Sequence, residues 1–173
     1  MAVERTGAVT LKGNPLTLVG PEIKVGDQAP AFSVMGNDWK MVRFENFGGK
    51  PSLISSILSV NTGLCDAEIK RFNEEAGKLG DKAQFLTIST DLPCTQGIWC
   101  GNAGVKNVKT YADHMDTNFG LAYGVVMKEI RALSRAIFVV DGNGKVAYVE
   151  YVPEIGQHPN YESALAAIKK LAV

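Results

Sequence analysis

The chain has 173 residues, 46% hydrophobic and 21% charged, a composition that supports one buried core and excludes a disordered chain. Lys+Arg and Asp+Glu both number 18, so the formal charge is zero, which argues against a general nucleic-acid binder. No apolar run approaches the ~18 residues a membrane span requires. The opening Met-Ala-Val-Glu-Arg-Thr-Gly also lacks the pattern of a secretion signal, so a soluble, cytoplasmic, single-domain protein over residues 1–173 is expected.

In chain order, Val9–Leu11 and Leu16–Val19 flank a turn at Gly13-Asn14-Pro15 and predict an N-terminal β-hairpin over about residues 9–20. Gly26–Pro30 reads as a loop, and Phe32–Val34 and Met41–Phe44 as short strands. After Gly48-Gly49-Lys50-Pro51, the Ile- and Leu-rich run Ser52–Val60 predicts a central strand despite its serines. Ile69, Phe72, Ala76 and Leu79 then recur at helical spacing, with Glu and Lys filling the other positions, Asn61 or Thr62 as N-cap and Gly80 as the stop. A strand at Gln84–Ser89, a short helix near Thr95–Cys100, a strand at Val108–Tyr111 and a helix at Met115–Ala122 follow. Strands Ala136–Val140 and Val146–Val152 join through Asp141-Gly142-Asn143-Gly144, and a last helix spans Tyr161–Leu171. Strands alternating with helices and ending in a hairpin and a helix imply an α/β fold with a mixed central sheet, a pattern compatible with a thioredoxin-like fold.

Three cysteines are too few for a secreted disulfide framework, and each of Cys65, Cys94 and Cys100 reads as a buried filler, a metal ligand or a redox group. Cys65 falls in the first turn of the first long helix, on the same inward face as Ile69. There, unpaired backbone N–H groups and the helix dipole favour a thiolate. The same position also suits a small apolar side chain completing the core. Strand alternation sets Arg135 on the face of Ile137 and Val139, where a charge needs an anionic partner unless it reaches solvent from the strand's end.

Thr62-x-x-Cys65 is the second half of a Pro-x-x-x-Thr-x-x-Cys motif, and with it the chain resembles the peroxiredoxins. Lys12–Gly20, Val25–Pro30, the run from Asp66-Ala67-Glu68 to Ala76, Asp91-Leu92-Pro93, Cys100-Gly101 and Val152–Ile155 resemble the atypical two-cysteine branch called thiol peroxidase, from about residue 9 to the end. The resemblance implies that Cys65 is the peroxidatic cysteine, attacking a hydroperoxide and becoming a sulfenic acid. It further implies that the Thr62 hydroxyl holds the peroxide oxygen and the thiolate, that Arg135 lies beside the sulfur, and that Cys100 resolves the sulfenic acid into an intramolecular disulfide reduced by thioredoxin. The same resemblance implies that the helix turns around both cysteines unwind locally for that bond to form. Members of this branch form homodimers; no cofactor and no metal are expected.

Ionisation alone does not make a fast thiol. Moving a thiol from its ordinary ~8.5 to ~6 raises the thiolate fraction about 13-fold near neutral pH. A Brønsted slope of ~0.4–0.5 costs about 10- to 18-fold in nucleophilicity for the same move. Acceleration must therefore come from donors aimed at the peroxide oxygens, for which Thr62, the Cys65 backbone N–H and Arg135 are the candidates.

The chain departs from the motif at Leu58, which stands for the proline, and at Asn61, which stands for an aspartate; Gly97-Ile98-Trp99 replaces a more basic stretch. Leu58 leaves φ free and restores an N–H. Cys94, six positions before Cys100, is expected to be a buried filler, with an auxiliary resolving role and metal binding as alternatives. Two other functions stand beside the peroxidase: a degenerate redox sensor or relay with weak turnover, and a metal-binding protein using Cys94, Cys100 and His114. His114 and His158 read as surface residues.

Overall fold

In the computed structural model, which describes residues 2–173, four α-helices and two β-sheets make up the regular structure of those residues, with two single 3₁₀ turns between. The strands are β1 (Glu4–Leu11), β2 (Asn14–Val19), β3 (Phe32–Gly36), β4 (Met41–Phe44), β5 (Ser52–Ser56), β6 (Gln84–Ser89), β7 (Val108–Ala112), β8 (Val126–Met127), β9 (Ala132–Leu133), β10 (Ala136–Val140) and β11 (Val146–Tyr151). The helices are α1 (Gly63–Leu79), α2 (Pro93–Ala103), α3 (Asn118–Ala122) and α4 (Tyr161–Leu171). Seven strands form a mixed sheet in the order β11-β10-β5-β6-β7-β3-β4, with β5, β6 and β7 parallel and the other pairs antiparallel. A second, antiparallel sheet runs β1-β2-β8-β9.

Side-chain alternation along the buried strands divides the interior into two layers. Ile54, Leu86, Phe138 and Val140 face one way, with Phe32, Phe119 and Tyr123. Leu53, Phe85, Ile137 and Val139 face the other, where Ile69, Phe72 and Ala76 of α1 and Leu165 and Ile168 of α4 cover them. A third cluster, Val9, Leu16, Leu18, Met127 and Ile155, lies under the hairpin. The serines of β5 are accounted for: Ser52 donates to the Lys50 carbonyl at 3.0 Å, the Ser55 hydroxyl pairs with Thr87 at 2.8 Å, and Ser56 donates to the Ser134 carbonyl at 2.8 Å.

Several boundaries differ from the sequence expectation. The central strand stops at Ser56 rather than Val60, because the Asp91 carboxylate accepts from the Ser59 hydroxyl at 2.8 Å and from Val60 N–H at 2.9 Å and draws the chain off the sheet. The helix expected from Met115 begins at Asn118, where Asp113 accepts the N–H groups of Phe119 and Gly120 at 3.1 and 2.8 Å. The hairpin turns at Lys12-Gly13 (φ 51° and 79°), so that Asn14 and Pro15 belong to β2, and its first strand starts already at Glu4. Both turn residues have positive φ, as a two-residue hairpin turn of the primed kind demands.

Candidate functional site

Breaking the strand at Ser56 leaves a short link, Ile57–Thr62, between β5 and α1. Thr62 caps the helix in extended backbone (φ −92°, ψ 139°): its hydroxyl accepts from Cys65 N–H at 3.3 Å and donates to the Ser59 carbonyl at 3.3 Å. Its hydrogen bonds therefore go to backbone groups. Of the two expected caps, Thr62 serves and Asn61 does not.

Cys65 lies in the first turn of α1 and is 0% exposed. Arg135, directly before β10 and 2% exposed, is on the face of Ile137 and Val139, as strand alternation requires. Its guanidinium is used in three directions. One terminal nitrogen donates to Cys65 Sγ at 3.2 Å, the other forms an ion pair with Glu68, and Nε donates to the Ile155 carbonyl at 3.3 Å. A buried arginine needs such partners, since an unpaired buried charge costs several kcal/mol.

Glu68 is the residue at this site that sequence reasoning does not single out. In the helical pattern it is one of the positions that Glu and Lys fill, yet it is 0% exposed. The signal was present in the spacing: residues three and four apart share a helix face, and Glu68 stands at i+3 from Cys65 and i−4 from Phe72. Burial pushes its carboxyl up to about 7, against the pull of Arg135. On Arg135, burial opposes the charge, but Glu68 and Cys65 more than offset it, so the guanidinium holds its proton more firmly than usual. Glu75, two turns further along, is buried as well, and Lys169 and Lys78, each at 2.6 Å, hold its carboxyl down to about 2.

Cys100 packs at the edge of the same apolar cluster but has polar partners of its own. It is half-buried on α2, its sulfur 3.4 Å from Thr110 Oγ1 on β7, and Thr110 in turn accepts from Asn37 Nδ2 at 3.0 Å. Burial pushes its thiol upward, partly offset by Thr110. A groove of about 350 Å³ opens beside it, lined by Asn37, Val42, Val108 and Thr110. All three thiols are free. The structure thus brings Cys65 and Arg135 together and gives Cys100 a separate set of hydrogen-bonding neighbours.

Cys94 is exposed, which corrects the expectation of a buried filler. It follows Pro93 at the start of α2, and the inward positions of that turn are taken by Pro93 and by Gln96, whose amide donates to Ser89 Oγ at 2.9 Å and to the Tyr111 carbonyl at 2.8 Å. His158 is exposed as expected, its ring nitrogen 2.8 Å from the Tyr161 hydroxyl, whereas His114 is only half-exposed with Nδ1 buried. Among the described residues, Cys94, Cys100 and His114 do not form a cluster that could hold a metal ion.

The Cys65 site can hold a negative charge on sulfur beside a fixed cation, shielded from water. It also offers the guanidinium to an oxygen brought up to that sulfur, while the Cys65 N–H is taken up by Thr62 Oγ1.

Comparison with known proteins agrees with this chemistry. The Redoxin family model matches residues 24–165. The thiol peroxidase of Bacillus subtilis (strain 168) is 53% identical over 163 residues, covering 94% of this chain and 97% of that protein. The thiol peroxidase of Staphylococcus aureus (strain MRSA252) is 47% identical over 163 residues, with 94% and 98% covered. Among solved structures, a peroxiredoxin-like protein from Aquifex aeolicus superposes with a TM-score of 0.89 at 36% identity, covering 98% of each chain.

Proposed function

Since the chain belongs to the Redoxin family and is a thiol-dependent peroxidase of the peroxiredoxin type, we propose that the Cys65 sulfur is the nucleophile that attacks peroxide, Arg135 and Thr62 its supporting groups and Cys100 its resolving partner. The observation that carries this reading is the Arg135 guanidinium 3.2 Å from Cys65 Sγ at the buried start of α1.

In the first step the Cys65 thiolate attacks the terminal oxygen of a hydroperoxide. An S–O bond forms, the O–O bond breaks, and the alkoxide or hydroxide that leaves takes up a proton as alcohol or water; Cys65 becomes a sulfenic acid. Negative charge moves from sulfur towards the leaving oxygen, so a cation already fixed beside the sulfur stabilises the transition state without reorganising. Arg135 is held for that task by Glu68 on one side and Ile155 on the other. In the second step the Cys100 thiol attacks the sulfenic sulfur, an S–S bond forms and water leaves; thioredoxin then returns both thiols. Cys100 packs at the edge of the apolar cluster that holds Cys65 but bonds Thr110, and in this reading α2 gives way for the bond to close.

The sulfur is fully covered, so even a small hydroperoxide needs the link that carries Leu58 and Thr62 to move aside. Leu58 packs against both the Cys65 cluster and the hairpin cluster, and in that position it shields the sulfur in place of the motif proline. The family resemblance supports a single domain over residues 1–173, a homodimer and a cytoplasmic setting; no helix among the described residues is long and apolar enough to cross a membrane. Replacing Cys65 by Ser is expected to abolish thioredoxin-coupled peroxide consumption and the mass change that follows peroxide treatment. Retained turnover in Cys65→Ser contradicts the assignment.

A further inference from the structure

We propose that Glu154 is a positioning residue for Arg135, acting through the N-terminal hairpin. The inference deepens the proposed function and rests on the role given there to Arg135.

Besides Cys65 Sγ, Arg135 has one acceptor on α1, Glu68, and one on the segment after β11, the Ile155 carbonyl at 3.3 Å from Nε. The second acceptor lies outside the sheet's regular ladder, so something must fix it. Ile155 N–H donates to the Thr10 carbonyl at 2.9 Å, and Thr10 N–H donates to the Pro153 carbonyl at 2.7 Å, so two β1-side bonds bracket Glu154. Val152 N–H donates to the Arg135 carbonyl at 3.0 Å, tying the same segment to the arginine's own backbone. The Ile155 side chain is buried in the hairpin cluster with Val9, Leu16 and Leu18.

Glu154 locks this bracket. Its carboxylate accepts from the Thr10 hydroxyl at 2.7 Å and from Lys12, Gly13 and Gly156 N–H, each at 3.1 Å. These four donors come from both sides of the contact: three from the hairpin, one from the residue just past Ile155. Lys12 and Gly13 present their N–H groups to the carboxylate because both adopt the positive φ of the hairpin turn. The donors, led by the Thr10 hydroxyl, hold the carboxyl down to about 2, so the lock stays ionised across any working pH. The hairpin thereby acts on the reaction from a distance: it sets where a carbonyl lies, and that carbonyl sets the angle of the guanidinium fork over Cys65. Misplacing a catalytic group by about 1 Å costs on the order of a hundredfold in rate.

The test uses the whole protein and compares two reactions of Cys65: oxidation by hydrogen peroxide and alkylation by iodoacetamide, both as second-order rates by rapid mixing. Both reactions need the thiolate and an opening of the link that covers it, whereas peroxide cleavage also needs a correctly aimed Arg135. In Glu154→Ala the ratio of peroxide rate to alkylation rate is expected to fall roughly tenfold or more. Thr10→Val, which removes one hydroxyl donor and leaves the backbone bridge, is expected to lower the ratio less, and Thr10→Ser to restore it. This series remains decisive if Glu154→Ala does not fold. A folded Glu154→Ala or Thr10→Val protein with the wild-type ratio, or with both rates falling together, overturns the proposal. A wild-type peroxide rate no faster than that of a free thiol contradicts the peroxidase reading itself, which separates the two failures.

Discussion

The two sulfurs assigned to one catalytic cycle are held in opposite ways. Cys65 stands in a 17-residue helix with a side-chain cap at Thr62, fully buried, and shares a guanidinium that is fixed from two further directions. Cys100 stands in an 11-residue helix whose N-cap, Leu92, makes no side-chain cap bond and which contains Gly97 and Gly101. Only Pro93 and Gln96 of that helix are fully buried, and the cysteine's own anchor is a single hydroxyl contact to Thr110. The difference teaches a division of labour. The attacking sulfur needs a preorganised field, because its transition state develops charge that must be met without rearrangement. In the proposed cycle the resolving sulfur travels, which a helix with no side-chain cap and few buried residues favours.

The sharpest way to break this contrast is to remove the travelling partner. Cys100→Ser is expected to abolish the intramolecular disulfide completely after one equivalent of peroxide, read as intact-protein mass with and without alkylation. An unchanged disulfide yield would assign resolution to the exposed Cys94 instead.

A second experiment stiffens the travelling helix without touching either sulfur. Neither glycine of α2 requires a positive φ; a Cβ at Gly101 meets nothing within 4 Å and one at Gly97 meets Asn37 at an ordinary 3.8 Å. Alanine at both positions removes about 0.5–1 kcal/mol of helix cost each. Disulfide formation in Gly97→Ala/Gly101→Ala is therefore expected to slow by roughly 5- to 30-fold, with more Cys65 carried on to sulfinic acid at excess peroxide. An unaltered closing rate would show that unwinding of α2 is not part of the step.

The smallest effect concerns the fixed region. Burial pushes the Glu68 carboxyl up to about 7 in the folded protein, against 4.5 for an ordinary glutamate, with the Arg135 ion pair opposing the shift. Between those values the folded state binds more protons than the unfolded chain, so Glu68 makes stability fall as pH rises through that window, at no more than about 1.4 kcal/mol per pH unit. Glu68→Gln is expected to lose this slope in denaturant unfolding between pH 5 and 7, whereas parallel slopes in the two proteins would place the titration elsewhere.

Much of this contrast was readable from residues alone. Apolar periodicity locates α4 at Tyr161–Leu171, β6 at Gln84–Ser89 and β10 at Ala136–Val140 with their observed limits. The helix-start position of Cys65 and the inward face of Arg135 follow from spacing, and the family resemblance pairs them. What spacing does not show is a partner chosen across the fold. Glu68 looks like one more charged helix residue until Arg135, 67 positions away, is known to face it. The end of β5 is decided by Asp91, and the start of α3 by the Asp113 carboxylate. The two-residue strands β8 and β9 carry too little pattern to be seen; they exist because β2 offers an edge to pair with. Cys94 misleads for a related reason: cysteine's preference for burial is overruled where proline and glutamine already fill the inward turn.

The most direct measurement is the peroxide rate of Arg135→Ala set against its thiolate content, the latter from ultraviolet absorbance titration and from iodoacetamide alkylation. The account predicts a fall in peroxide rate of roughly 10²–10³-fold at a pH where the sulfur is fully ionised in both proteins, the loss typical of one missing transition-state donor. A peroxide rate that equals the wild-type value once the thiolate fractions are matched would contradict it.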